Sequence, residues 1–209
     1  MNHTVWPLTQ EMLGRAANLV HAGGMVAFPT DTFYALGVTP FNAAAVRRIF
    51  TIKGRGTNPI LVLIRHPREL EGLVADIPPS AELLMNACWP GPLTIVFRAC
   101  PRVPSLVGAE TGTIGIRLAA SHSLQQVLDA VGGPLTGTSA NRSGGAAPTT
   151  AQEVHAALGA DIDLILDGGR TAGGLPSTVV DTTVLPIRLV REGAVPRSVV
   201  LSIVGTLAA

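Results

Sequence analysis

The sequence has few charged and aromatic residues and is almost without lysine and cysteine. Charged side chains make up 14% of the 209 residues and aromatic side chains 4%, and the 15 basic residues include one lysine, Lys53. The two cysteines, Cys88 and Cys100, are too few for a disulfide framework and are not spaced as a metal-ligand pair. We therefore interpret both as small core residues, in a chain long enough to bury a sizeable core.

Long apolar runs are also missing, although 47% of the residues are hydrophobic. No stretch is long enough to cross a bilayer, and the first residues lack the basic and apolar regions of a secretory signal. We therefore expect a cytoplasmic protein with no membrane partner. The formal charge of +1 gives no general reason to bind nucleic acid. The histidines show no metal-ligand spacing, so no metal site is predicted.

Helical and strand periodicities alternate along the chain. The predicted helices begin at the caps Thr9, Ser121 and Thr150 and near Asn42, with further helical segments around 67 to 74 and 80 to 88. The predicted strands cover 25 to 28, 60 to 64, 93 to 97, 113 to 118, 135 to 138, 164 to 166, 177 to 181, 187 to 191 and 198 to 204. This order predicts the α/β class, with a twisted sheet of mixed parallel and antiparallel strands flanked by helices.

Several predicted strands are bordered by small polar residues. Thr30-Asp31-Thr32 follows the first strand, the run 136 to 141 accompanies another, and Ser177 opens a strand that ends in Asp181. Ligands commonly bind at strand ends in open α/β sheets. If these ends meet, they form a pocket rich in hydroxyls and amides. Because no Walker or dinucleotide fingerprint is present, a nucleotide would have to be held in another way.

Positive charge is concentrated after the second predicted helix. Lys53 and Arg55 lie two residues apart, and Asn58 follows at the next predicted strand. An ammonium, a guanidinium fork and an amide in this order suit a triphosphate. The alternative is a solvated helix C-terminus whose cations complement the helix dipole. This segment alone leaves both interpretations open.

Arg117 lies in a predicted strand whose alternation places it on one face with Thr113 and Gly115. A charge in so apolar a strand needs a partner. That partner is either an acidic side chain of this chain or the carboxylate of an amino-acid ligand.

Three further segments also have two interpretations each. The run 139 to 143 is either a set of turn formers or a loop of backbone N–H groups around an anion. Thr149 and Thr150 are either helix caps or part of an anion site. Arg191 either forms an exposed ion pair or belongs to a binding site.

Eight segments in this order resemble the YrdC-type threonylcarbamoyl-adenylate synthase family, over about residues 10 to 200. They are FPTDTFYALG (28 to 37), KGRGTNPI (53 to 60), WPGPLT (89 to 94), TIGIR (113 to 117), TSANRSG (138 to 144), PTT (148 to 150), STVVD (177 to 181) and LVREG (189 to 193). No single segment is specific, but their order is.

The resemblance implies a single domain over residues 1 to 209 with an open central cavity for ATP, L-threonine and bicarbonate. The implied activity forms threonylcarbamoyl-AMP and pyrophosphate for the threonylcarbamoyladenosine modification of tRNA, with Mg²⁺ accompanying ATP. tRNA and a downstream threonylcarbamoyl transferase complex are further expected partners. The alternatives are an RNA-binding protein of this fold and a paralogue that uses a different carbamoyl or adenylate substrate.

The resemblance also assigns residues. The expected threonine contacts are Thr32, Arg117, Ser139 and Ser177. The expected ATP contacts are Lys53, Arg55, Asn58, Thr113, Asn141, Thr149 and Arg191, and the catalytic charges among them are Lys53 and Arg55. Two features depart from the family pattern. Gly56 occupies a position that is usually proline, in a shortened loop, and Leu63 replaces a frequent histidine on the threonine side.

Overall fold

The computed structural model describes residues 4 to 54 and 58 to 208. The helices are α1 (Gln10–His21), α2 (Ala43–Lys53), α3 (Pro79–Cys88), α4 (His122–Val131), α5 (Ala151–Leu158) and α6 (Arg197–Val204). The strands are β1 (Val5–Pro7), β2 (Val26–Pro29), β3 (Tyr34–Gly37), β4 (Val62–Leu63), β5 (Leu93–Arg98), β6 (Thr113–Arg117), β7 (Leu135–Thr136), β8 (Thr138–Ser139), β9 (Leu164–Asp167), β10 (Thr178–Asp181) and β11 (Arg188–Arg191). Short 3-10 helices cover Pro67–Gly72 and Ser105–Gly108.

Side-chain caps begin four of the helices, and three of these caps were predicted. Thr9, Asn42, Ser121 and Thr150 each accept a hydrogen bond from a backbone N–H in the first turn of α1, α2, α4 and α5. These bonds satisfy donors that have no partner within the helix. At the other end of α2, Gly54 has a φ of 56°, which lets the chain turn away directly after Lys53.

The strands form two sheets, whereas the sequence predicted one. The first sheet has the order β1-β9-β2-β3-β8, and the second has the order β11-β10-β5-β6-β4-β7. Each sheet contains parallel and antiparallel pairs, so the mixed α/β class is confirmed. The chain changes sheet at Gly137, because β7 pairs with β4 and β8 pairs with β3. The prediction of one continuous strand over residues 135 to 138 was therefore wrong.

The segment 198 to 204, predicted as a strand, lies in helix α6. Val199, Val200 and Val204 favour a strand locally. The segment packs against α3 instead, with Val200 fully buried, so tertiary packing overrides the local preference. The prediction of small core residues at Cys88 and Cys100 also needs correction, because both are only partly buried.

Two hydrophobic clusters stabilise the sheets. The larger cluster joins residues of both sheets with α2, and the smaller one lies where α1 and α4 pack against each other and against β2. Within residues 4 to 54 and 58 to 208, no helix is both long and apolar enough to cross a membrane. The extent of a single domain over residues 1 to 209 stays a prediction.

Candidate functional site

A cavity of about 620 Å³ lies between the two sheets. β3 and β8 line it from the first sheet, and β4, β5, β6, β10 and β11 line it from the second. The polar residues of its wall are Thr30, Thr32, Asn58, Thr94, Thr113, Arg117, Thr138, Ser139, Ser177 and Arg191. The apolar residues include Ile60, Leu61, Leu63, Val96, Val179 and Val190. This size and mixture suit a small-molecule ligand, and the expected open cavity is present.

Most of the site residues predicted from the sequence meet at this cavity. The predicted residues in its wall are Thr32, Asn58, Thr113, Arg117, Ser139, Ser177 and Arg191. The wall does not include Lys53, Asn141 or Thr149. Arg55 and the neighbouring Gly56 and Thr57 lie outside the described residues.

Arg117 belongs both to the cavity wall and to an ion pair. Its Nη2 donates to Oδ2 of Asp31 over 2.5 Å, and its Nε donates to the carbonyl of Gly91 over 3.1 Å. The internal acidic partner considered for this arginine therefore exists. Burial lowers the pKa of Arg117, and the charge of Asp31 and its hydrogen bond act in the opposite direction. Oδ1 of Asp31 is buried and has no hydrogen-bond partner among the described residues.

Arg191 faces the same cavity from β11. Its Nε and Nη2 donate to the carbonyl of Ser177 over 3.2 and 2.7 Å, and the described residues include no acidic side chain in an ion pair with it. The pKa of Arg191 is lowered by burial and by the positive charge of Arg117. An anion beside Arg191 would offset the repulsion from Arg117.

Hydroxyl groups are paired along the wall. Oγ1 of Thr94 and Oγ of Ser177 lie 2.9 Å apart, and both residues are buried. Oγ1 of Thr111 and Oγ1 of Thr113 lie 2.7 Å apart. Thr94 was not among the predicted site residues. The sequence feature that could have indicated Thr94 is its single hydroxyl among the apolar residues of β5.

Lys53 is almost fully buried, with 3% of its surface exposed. Its Nζ donates to the carbonyl oxygens of Ser139 and Asn141 over 2.5 and 2.6 Å. The interpretation of a solvated helix end is therefore wrong for Lys53. Its ammonium lies against the back of the loop that contributes Ser139 to the cavity.

Thr149 lies at the start of α5. Its backbone N–H and its hydroxyl donate to Oε2 of Glu153, while the N-cap Thr150 accepts from the N–H of Glu153. The side chains of Thr150 and Glu153 thus accept hydrogen bonds from backbone N–H groups at the start of α5. The helix-cap interpretation therefore holds for this segment. The hydrogen bond from the Thr149 N–H is the largest contribution to the lowered pKa of Glu153. The predicted nucleotide contact of Thr149 stays a prediction.

This fold and this cavity define a mixed α/β protein with a cavity between two sheets, bordered by two arginines and several hydroxyls. The Sua5/YciO/YrdC family model, whose description reads "Telomere recombination", matches residues 18 to 193. The chain therefore belongs to this family.

Curated relatives cover nearly the whole chain. The threonylcarbamoyl-AMP synthase of Pyrococcus abyssi is 37% identical over 193 residues, which are 92% of this chain and 57% of the relative. The synthase of Bacillus subtilis is 36% identical over 93% of this chain and 57% of the relative. The putative threonylcarbamoyl-AMP synthase of Mycobacterium tuberculosis H37Rv is 34% identical over 93% of this chain and 89% of the relative. The chain thus spans just over half the length of the first two relatives.

Solved structures share the fold. The crystal structure of P. abyssi Sua5 complexed with L-threonine has a TM-score of 0.91 at 35% identity, and the match covers 98% of this chain and 60% of that chain. E. coli YciO has a TM-score of 0.79 at 30% identity, covering 89% of this chain and 91% of that chain. Full-length HypF, at 19% identity and a TM-score of 0.75, shares the fold alone.

Proposed function

We propose that this chain forms threonylcarbamoyl-AMP and pyrophosphate from L-threonine, bicarbonate or CO2, and ATP. The observation that carries this proposal is the meeting of Arg117 and Arg191 with several hydroxyls in one cavity of about 620 Å³. The names of the relatives support the same activity, and one structural neighbour was solved with L-threonine.

The cavity wall divides into two proposed subsites. Arg117 binds the threonine carboxylate, and the hydroxyls of Thr32, Ser139 and Ser177 orient the rest of the amino acid. Selection of threonine over amino acids without a β-hydroxyl follows, because unpaired polar groups in the wall would penalise them. Arg191, with Thr113 and Asn58, faces the phosphates. The same role for Arg55 remains the prediction from the sequence.

The reaction needs alignment and charge neutralisation more than acid–base chemistry. Bicarbonate and the threonine amine first give a carbamate and water. A carbamate oxygen then forms a bond to the α-phosphorus of ATP, and the bond from that phosphorus to the β-phosphate bridging oxygen breaks to release pyrophosphate. Because the carbamate is already anionic, we assign no general base.

Mg²⁺ is proposed to arrive with ATP as part of the substrate. The polar side chains of the cavity wall are hydroxyls, an amide and two arginines without a carboxylate, and the nearby Asp31 is held by Arg117. Among the described residues, no cluster of acidic, histidine or cysteine side chains would hold a metal. This donor set does not fit a resident metal, whereas Mg²⁺ readily binds phosphate oxygens and water.

The use of the product in tRNA modification, the partnership with a transferase complex, and the cytoplasmic location stay predictions. An RNA-binding role is less well supported, because the relatives are named as synthases. Direct tRNA binding would appear as an affinity that falls steeply with salt concentration.

The test is pyrophosphate release from ATP, measured with all substrates and with threonine or bicarbonate left out. We expect release only when all three are present.

Arg117→Ala should raise the KM for L-threonine about tenfold or more, because a charged hydrogen bond to the carboxylate is lost. Arg98→Ala, which changes an exposed arginine at the end of β5, is the control. Threonine-independent release would contradict the proposal.

A further inference from the structure

We propose that Lys53 is a positioning residue that acts through Ser139 and does not itself contact the phosphates of ATP. The inference rests on the proposed function, since Ser139 belongs to the threonine subsite. It revises the direct catalytic role that the resemblance implies for Lys53. Residues 139 to 145 are called the serine loop below.

The contacts of the Lys53 ammonium point to the serine loop. Besides the two carbonyls of Ser139 and Asn141, its Nζ donates to Oδ1 of Asn141 over 3.3 Å. An ammonium has three N–H donors, and these three oxygens can accept all of them. The cavity wall includes Ser139 but not Lys53. The lysine charge is therefore placed to order the loop through these contacts.

Asn141 connects Lys53 to the Ser139 side chain. Its Oδ1 accepts from Oγ of Ser139 over 2.6 Å as well as from Lys53, and its Nδ2 donates to the carbonyl of Gly145 over 2.5 Å. Because the amide oxygen accepts both bonds, the Ser139 hydroxyl proton is directed at Asn141. The hydroxyl thus presents acceptor lone pairs to the cavity.

This direction of the Ser139 hydroxyl decides which ligand group it fits. A fully ionised phosphate oxygen only accepts hydrogen bonds, whereas the amine and β-hydroxyl of an amino acid can donate them. Ser139 oriented by Asn141 and Lys53 therefore suits the amino acid and not the triphosphate.

The serine loop and α2 are also joined in the opposite direction. The backbone N–H of Ser143 donates to the carbonyl of Lys53 over 2.9 Å, and Nη1 of Arg142 donates to the carbonyl of Ile52 over 3.0 Å. The last turn of α2 and the serine loop thus hold each other through bonds from both sides. Since Lys53 is buried, its stem and its charge have little freedom to swing into the cavity.

Steady-state kinetics of Lys53→Met separates positioning from phosphate contact. Methionine retains an unbranched stem and removes all three donors. We expect the KM for L-threonine to rise about tenfold, as for loss of hydrogen bonds to a charged group, while the KM for ATP stays within about twofold. An ATP-selective rise, or an equal rise for both substrates, would overturn the proposal.

A double-mutant cycle tests the connection through Asn141. If Lys53 acts through Asn141, Lys53→Met and Asn141→Ala should be strongly non-additive in kcat/KM for L-threonine. Lys53→Met combined with Arg191→Ala should be additive, because no contact joins those side chains among the described residues. Additivity in the first pair would contradict the relay.

Amide hydrogen exchange gives a readout that does not depend on activity. Lys53→Met should accelerate exchange in the serine loop and leave α1 unchanged. If this variant fails to fold, Asn141→Ala takes its place, with the same expectation. Unchanged exchange in the serine loop would overturn the positioning role even in an active enzyme. Failure of the wild-type chain to release pyrophosphate, with the exchange effect present, would reject the proposed function alone.

Discussion

At the scale of residues, Arg117 shows how one side chain serves both the fold and the site. It is 4% exposed, and Asp31 supplies its counter-charge. A buried arginine without a carboxylate nearby would pay a large desolvation cost. With Asp31 in place, the guanidinium keeps its charge and still borders the cavity. The ion pair and the ligand contact, which the sequence offered as alternatives, are therefore compatible.

Asp31→Asn should destabilise the protein by about 3 kcal/mol, because it leaves a buried guanidinium unpaired. Urea denaturation at neutral pH measures the change. The matched control is Asp129→Asn, whose pair with Arg65 spans 3.7 Å and whose side chain is 69% exposed. That change should stay within about 0.5 kcal/mol. Equal effects of the two substitutions would contradict the assigned importance of the buried pair.

At the scale of elements, the helix starts that depend on neighbouring residues were predicted from the sequence. The strand pairings that depend on distant residues were not. The capped helices α1 and α4 followed from Thr9 and Ser121, because a cap acts within one turn of its own helix. The exchange of sheets at Gly137 consists of pairings of β7 with β4 and of β8 with β3, which are distant in sequence, so no local pattern contains it. The polar strand ends did predict part of the cavity wall, namely Thr30, Thr32, Thr138, Ser139 and Ser177. The orientation of Lys53 was missed because the serine loop that attracts it lies 86 residues away.

Gly137→Ala should destabilise the protein by about 1–3 kcal/mol, the usual cost of overpacking. An added Cβ would lie 2.6 Å from two side-chain atoms of Leu63 and 2.9 Å from Leu61, at the crossing between the sheets. Thermal unfolding measures the effect.

The matched control for this change is Gly133→Ala. An added Cβ at Gly133 meets nothing within 4 Å. That variant should be neutral or slightly more stable, because alanine has less freedom than glycine in the unfolded chain. If Gly137→Ala were as well tolerated as Gly133→Ala, the close packing at the sheet crossing would be refuted.

At the scale of the whole molecule, Asp163 ties α2 to the first sheet. Its Oδ2 accepts from the N–H of Met25 over 2.7 Å, and both of its oxygens accept from Arg48. Burial alone would raise the pKa of Asp163. The hydrogen bonds from Arg48 and Met25 and the charge of Arg48 outweigh it, so the pKa is lowered.

The lowered pKa of Asp163 makes its contribution to stability dependent on pH. Stabilisation is fully present above the pKa of the unfolded carboxyl and is lost as pH falls through the lower pKa of the folded state. The stability difference between the wild type and Asp163→Asn should therefore be largest near neutral pH and shrink in acid. Asp76→Asn, at an exposed position, is the control. A difference that stays constant from neutral to acidic pH would contradict this assignment.

The proposed activity requires one cavity to bring together an amino acid, a one-carbon unit and a nucleotide. The most direct measurement is mass spectrometry of the product formed from ATP, L-threonine and ¹³C-bicarbonate. We expect threonylcarbamoyl-AMP whose mass is raised by the label, in amounts equal to the pyrophosphate released and strongly reduced in Arg191→Ala. Pyrophosphate release without a labelled adenylate, or a labelled adenylate formed equally by Arg191→Ala, would contradict the central claim.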